Sequence, residues 1–239
     1  MKICLFTSGY VRTLFYGFHK NIEVIKKQIP DSSIDIFYSF WDQNSYSNQI
    51  NDPWHYKVEE NKTDITQEKL NQYFYSIGFE KVLGDIESFS ISEKVINESP
   101  FASHKKKLSS QYYKVYNVAK RYFSDKYDLY LTIRPDVIIQ EFLSEKQIND
   151  LNYEKGIIVN ENYWYNALYK GLDCNEYVWA STKDTFMSSN SQFLFLEKII
   201  HQIRDHYGEI ITGQHFRNLL SSGKIYKIET FNFDYRVVR

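Results

Sequence analysis

Apolar and polar positions alternate along this chain in two periods, and the switches between them mark out its elements. Residues 2–7 are a short run dominated by Ile, Leu and Phe, which predicts a buried strand. Leu14, Phe18, Ile22 and Ile25 recur at helical spacing, predicting a helix over 14–28 that Pro30-Asp31-Ser32-Ser33 breaks. Ile34 to Trp41 predicts a second strand. Strand, helix and strand in that order form a βαβ unit, which implies a parallel sheet.

Residues 43–64 are polar and predict a long surface loop. Thr66 is placed to cap a helix through Leu70, Tyr73, Phe74 and Ile77, which Gly78 would end, and residues 79–83 predict a third strand. Residues 88–104 follow neither period. Over 105–124, Leu108, Tyr112, Val115, Val118, Ala119 and Tyr122 trace an amphipathic helix. Beyond it the pattern predicts a short helix near 144–151 and strands at 156–160 and 176–180. One or two helices across 182–207, a helix over 210–220 stopped by Gly223, and a strand over 224–231 complete the chain.

The stretch 128–139 departs from this rhythm. Two apolar runs, Leu129 to Ile133 and Val137 to Ile139, flank Arg134-Pro135-Asp136. Pro cannot donate to a sheet ladder, so the strand must break or bend there. The residue before a Pro is held extended, which fixes the direction in which Arg134 leaves the sheet. Two opposite charges at the end of a buried strand are costly unless a ligand binds them or they pair with each other.

Length and composition narrow the classes. A chain of 239 residues with 43% hydrophobic content suits one α/β domain with a sizeable core. A net charge of −1 provides no global field for nucleic acid. Cys4 and Cys174 make neither a metal motif nor a disulfide framework, the pattern of reduced thiols in a cytoplasmic protein. The apolar run at the N-terminus is too short for a secretory signal, and no run approaches the roughly 18 apolar residues that cross a bilayer. The expected location is cytoplasmic, at most against the inner face of a membrane.

Several groups could carry chemistry. Ser8-Gly9-Tyr10-Val11-Arg12-Thr13 joins the first strand to the first helix, where helix N–H groups meet phosphate, and Arg12 could add a bidentate contact. The alternative is an ordinary turn with a surface Arg. No G-x-G-x-x-G and no Walker lysine loop is present, so neither a dinucleotide oxidoreductase nor an ATPase is signalled. Trp41-Asp42 would end the second strand on the same sheet edge, with Asp42 either accepting from a ribose or base, or merely opening a loop. Tyr163-Trp164-Tyr165 offers aromatic faces for the C–H faces of sugars, or for core packing. Asp173 is a candidate base for an acceptor hydroxyl. Glu209 opens the late helix, where its charge complements the helix dipole. His104 to Lys107 with Lys114, Lys120 and Arg121 make a basic helix for anionic membrane or lipid-linked acceptors, or a solvated charged face. His215 is expected to be packed or exposed rather than catalytic.

The layout resembles the nucleotide-sugar glycosyltransferases of the GT-A fold, in particular small bacterial and viral surface-polysaccharide enzymes. Ser-Gly-x-x-Arg after strand one, Asp35-Ile36-Phe37 with Trp41-Asp42 at strand two, the central Arg-Pro-Asp and the final Val-Val-Arg carry the likeness. Many such enzymes have Asp-x-Asp after a hydrophobic strand, holding a divalent cation on the donor diphosphate; here Arg134 stands at the first Asp. The resemblance implies a mostly parallel twisted sheet flanked by helices, in one domain with a nucleotide-binding half (about 1–140) and an acceptor half (about 141–239). It implies transfer of a sugar from a nucleotide-sugar donor to a glycan or lipid-linked acceptor. Ser8, Gly9, Arg12, Asp42, Arg134 and Asp136 would bind the donor, and Tyr163, Trp164 and Tyr165 the acceptor. Asp173 or Glu209 would be the base if the anomeric centre inverts; a retaining enzyme would need none. Asp136 is the candidate ligand for Mn²⁺ or Mg²⁺, although Arg134 supplies a fixed cation that makes metal-independent transfer plausible. A nucleotidyl- or phosphotransferase, or a non-catalytic carbohydrate-binding or assembly protein on the same fold, are the alternatives.

Overall fold

The computed structural model describes residues 1–11, 14–42, 65–88, 106–161, 174–202, 208–231, 233, 236 and 237. The main sheet is built from β1 (Lys2–Gly9), β2 (Ser33–Trp41), β3 (Lys81–Glu87), β4 (Leu129–Ile133), β6 (Gly156–Glu161), β7 (Cys174–Ser181) and β8 (Lys227–Phe231). A separate ribbon pairs β5 (Val137–Ile138) with β9 (Arg236–Val237). Across the sheet the order is β3-β2-β1-β4-β7-β6-β8. Neighbours are parallel except where β7 runs against β4 and β6.

Helices cover both faces: α1 (Leu14–Gly17), α2 (His19–Gln28), α3 (Gln67–Ser76), α4 (Lys106–Tyr122), α5 (Glu145–Glu154), α6 (Lys183–Ser189), α7 (Gln192–Gln202) and α8 (Gly208–Ser221). β1, β2 and β4 are buried on both sides, so they read as continuous apolar runs rather than alternating ones. Ile3 and Leu5 of β1 pack with Ile22, Ile25, Leu70, Phe74, Ile148 and Leu151 on the α2, α3 and α5 side. Cys4 and Phe6 point the other way, into a cluster with Val118 and Ala119 of α4 and Phe186 of α6. Each fully buried side chain of this size contributes about 1.5–3 kcal/mol. Local signals agree with tertiary placement: the Thr66 hydroxyl caps α3 by accepting from the Lys69 amide at 3.2 Å. Ser144 and Gln147 form a capping box on α5.

Some boundaries differ from the sequence reading. The third strand lies at 81–87 rather than 79–83, because Phe79 is buried as an anchor behind α3, meeting Phe74 edge-on at 5.6 Å. The helix expected over 14–28 divides at Phe18, which is buried against Phe74. Val137 and Ile138 do not extend β4. The chain turns, the Val137 amide donates to the Arg134 carbonyl at 3.1 Å, and the second apolar run joins the ribbon. Among the described residues no helix is long and apolar enough to cross a membrane.

Candidate active site

Because β1 and β4 are parallel neighbours, their carboxyl ends open on the same edge of the sheet, where ligands of such sheets bind. The register pairs Phe6 with Thr132, and two residues further along the two chains stand Ser8 and Arg134. Gly9 ends β1 with φ +116°, a conformation that a side chain strains against. Ser8, Gly9 and Tyr10 form one wall of a small, solvent-open cleft, and Arg134, Pro135 and Asp136 form the other. Gln111 of α4 completes the lining.

Within this cleft the guanidinium of Arg134 grips Asp136 through two parallel hydrogen bonds. Nε donates to Oδ1 at 2.9 Å and an Nη to Oδ2 at 2.7 Å. Asp136 is 3% exposed and Arg134 15%, so the pair is mostly withdrawn from water. A fork on a carboxylate has one geometry, which orients the arginine beyond what Pro135 alone dictates. The turn carrying the pair is itself pinned from afar. Wholly buried Asn21 on α2 donates to the Val137 carbonyl at 3.0 Å and accepts from the Ile139 amide at 2.8 Å. The Phe233 carbonyl accepts from the amides of Gln140 and Glu141.

Behind the cleft a charged network joins α4 to the ends of β2 and β3. Lys114 is 0% exposed; its ammonium donates to Glu87 at 2.7 Å and Ser39 at 3.0 Å and lies 3.9 Å from the Trp41 ring centroid. Arg121 pairs with Glu87 at 2.7 Å and with Asp85. Burial pulls the Lys114 pKa below its ordinary value, against the hydrogen bond and charge of Glu87. Burial also pushes Glu87 up, but hydrogen bonds and charge from Lys114 and Arg121 outweigh it and lower its pKa. Lys114 is thus no part of the solvated or membrane-facing basic face expected of this helix. Helical spacing sets it beside Val115 and Val118 on the packed side, where acidic strand ends neutralise it.

No protein-family model matches the sequence, and no curated protein does. Solved structures do match in shape. The galactosyltransferase LgtC, in complex with donor and acceptor sugar analogs, superposes with a TM-score of 0.53 at 12% identity, covering 97% of this chain and 73% of that one. An active-site mutant of LgtC gives 0.54 at 11% identity over the same shares. Mouse xyloside xylosyltransferase 1, in its apo form, gives 0.50 at 6% identity, over 97% and 85%. The fold is GT-A.

On this GT-A scaffold Ser8, Gly9, Arg134 and Asp136 come together in one cleft, two strands' ends apart in sequence by more than a hundred residues. Asp42 follows β2, donates its amide to the Glu87 carbonyl at 2.9 Å and is not among the lining residues. Arg12, Tyr163, Trp164, Tyr165 and Asp173 lie outside the described residues. Glu209 is the second residue of α8, and its side chain is likewise outside them. His215 is packed: its Nε2 is 2.9 Å from the Ser188 carbonyl, and burial pushes its pKa down to about 4, so it is neutral. Both oxygens of Asp136 accept from Arg134, and among the described residues no three His, Cys, Asp or Glu side chains cluster. Gln111 and Asn21 escaped the sequence reading, and Lys114 was read there as part of a basic face. The available signal was a polar residue at each helix position where the apolar period calls for burial, which marks Asn21 beside Ile22 and Lys114 beside Val115.

Proposed function

We propose that this protein is a glycosyltransferase that moves a sugar from a nucleotide-sugar donor to a glycan or lipid-linked acceptor in surface-polysaccharide synthesis. The observation that carries the reading is the Arg134–Asp136 fork, held in the cleft at the carboxyl ends of β1 and β4. In sugar transfer the bond between the anomeric carbon and the diphosphate breaks, and negative charge develops on the leaving nucleotide. A preorganised guanidinium aimed at that charge lowers the barrier without reorganising at the moment of reaction. Arg134 does this where related enzymes use a cation, Asp136 holds it in place, and Ser8, Gly9 and Arg12 take the remaining phosphate contacts. Residues of about 1–140 hold the donor. Those of about 141–239 bring the acceptor, with Tyr163 to Tyr165 stacking on it and Asp173 or Glu209 as base if the reaction inverts. The protein works in the cytoplasm, at the inner face of the membrane when its acceptor is lipid-linked.

The test is a thermal-shift screen against UDP-, GDP-, CMP- and dTDP-sugars, followed by turnover assays that follow release of the nucleotide. A bound donor raises the melting temperature, and Arg134→Lys, which keeps the charge but loses the fork, removes most of that rise and at least a hundredfold of the turnover. Turnover persists in EDTA. Absence of any nucleotide-dependent shift in the native protein would overturn the reading.

A further inference from the structure

Asn21 stands where the two walls of the cleft are joined from behind. The wall of Ser8 to Tyr10 runs on into the first helices, and backbone bonds step along them. The Leu14 amide donates to the Val11 carbonyl at 3.0 Å, Phe18 to Leu14 at 3.1 Å, and Asn21 to Phe18 at 3.0 Å. Val11, Leu14 and Phe18 are buried in the same core cluster as Val137 and Ile139. Asn21 is thereby carried at a fixed place relative to the end of β1.

Its side chain is committed to the other wall. The carboxamide donates to the Val137 carbonyl and accepts from the Ile139 amide, at 3.0 and 2.8 Å. A carboxamide has a donor and an acceptor side by side, as a backbone residue does, so this one stands in for a strand beside β5. Residues 137 and 138 are paired in turn with β9. From Val137 the cleft is one turn away, because its amide donates to the Arg134 carbonyl at 3.1 Å. A displacement at Asn21 is therefore passed to Arg134, Pro135 and Asp136 through backbone atoms.

We propose that Asn21 is a positioning residue for the transfer. By bonding the helix that continues one wall to the turn that forms the other, it fixes their separation, and with it the reach of Arg134 towards an anion held by Ser8 and Gly9. Asn21 acts through the turn and is not itself a lining residue. Such placement tolerates little error, since a shift of about 1 Å can cost about a hundredfold in rate. This rests on the glycosyltransferase reading of the same cleft.

The test is a double-mutant cycle in nucleotide affinity, read by calorimetry with UDP, GDP, dTDP and CMP as probes. Asn21→Ala should weaken the best-bound nucleotide about tenfold or more. With Arg134→Lys already in place, the same change should weaken it less than about twofold, because the fork it positions is gone. Asn21→Asp keeps the shape and the bond from the Ile139 amide, and serves if the alanine variant does not fold. Leu151→Ala is the control for lost stability alone. Leu151 lies beside Gly156 at the amino end of β6, a strand that runs the same way as β4, so it is at the opposite edge of the sheet. This change should lower the melting temperature by a similar amount and alter affinity less than about twofold. Equal losses in both backgrounds, no loss in either, or a matching loss from Leu151→Ala would reduce Asn21 to a structural residue and leave the glycosyltransferase reading standing. If the native protein bound none of the four nucleotides, that reading would fall and take the role of Asn21 with it.

Discussion

Lys114 is the residue whose removal measures how the charged layer supports the cleft. Its ammonium has 0% exposure and makes a 2.7 Å pair with Glu87, itself 17% exposed. Removing one partner of a buried pair costs about 3–5 kcal/mol, because the other charge is stranded. Two features reduce that figure for Lys114→Met. Glu87 keeps Arg121 at 2.7 Å, and methionine refills the apolar stem beside Trp41. The expected loss is about 2–3 kcal/mol, which in a protein of this size lowers the melting temperature by roughly 4–12 °C. Urea unfolding with an unchanged slope is the assay. Adding Glu87→Gln to Lys114→Met should cost less than Glu87→Gln alone, by about 1 kcal/mol or more, the sign of a coupled pair. Gln111 stands one turn before Lys114 on α4, so nucleotide affinity should fall alongside. If Lys114→Met left stability within about 0.5 kcal/mol of the native protein, the reasoning would be refuted, since that is the range of an uninvolved surface change.

Asn21→Ala strands the Val137 carbonyl and the Ile139 amide in a buried setting, and should cost about 2–4 kcal/mol in urea unfolding while loosening the 134–136 turn. An effect below about 0.5 kcal/mol would show that the turn holds without it. For His215, burial lowers the pKa from 6.5 to about 4, so the unfolded chain takes the proton first. Its contribution is complete above about pH 6.5 and is lost as the pH falls towards about 4, amounting to about 3 kcal/mol. Chemical unfolding across that window should show the loss in the native protein and a flatter profile in His215→Phe; identical profiles would discard the assignment.

Most strands and helices were legible because burial imposes their periods directly on the sequence. Residues 2–7, 34–41 and 129–133 read as strands for that reason, and parallel pairing of β1, β2 and β4 followed from the βαβ arrangement. The direction of β7 was not legible, since an apolar run has the same appearance whichever way it points. The Arg134–Asp136 pair stood out as charge inside an apolar stretch, and its mutual fork is the ion-pair alternative realised within a cleft. Lys114 was misplaced because its partners are remote: Glu87 is 27 positions away and Ser39 is 75. Asn21 reaches 116 positions to Val137, a separation no local pattern encodes.

The ribbon between β5 and β9 bears on how the protein comes off the ribosome. Val237 pairs with Val137 across 100 positions, so the segment behind the arginine stays half-tethered until that late residue clears the exit tunnel. Stalled nascent chains of increasing length should thus gain nucleotide affinity in one late step instead of by degrees.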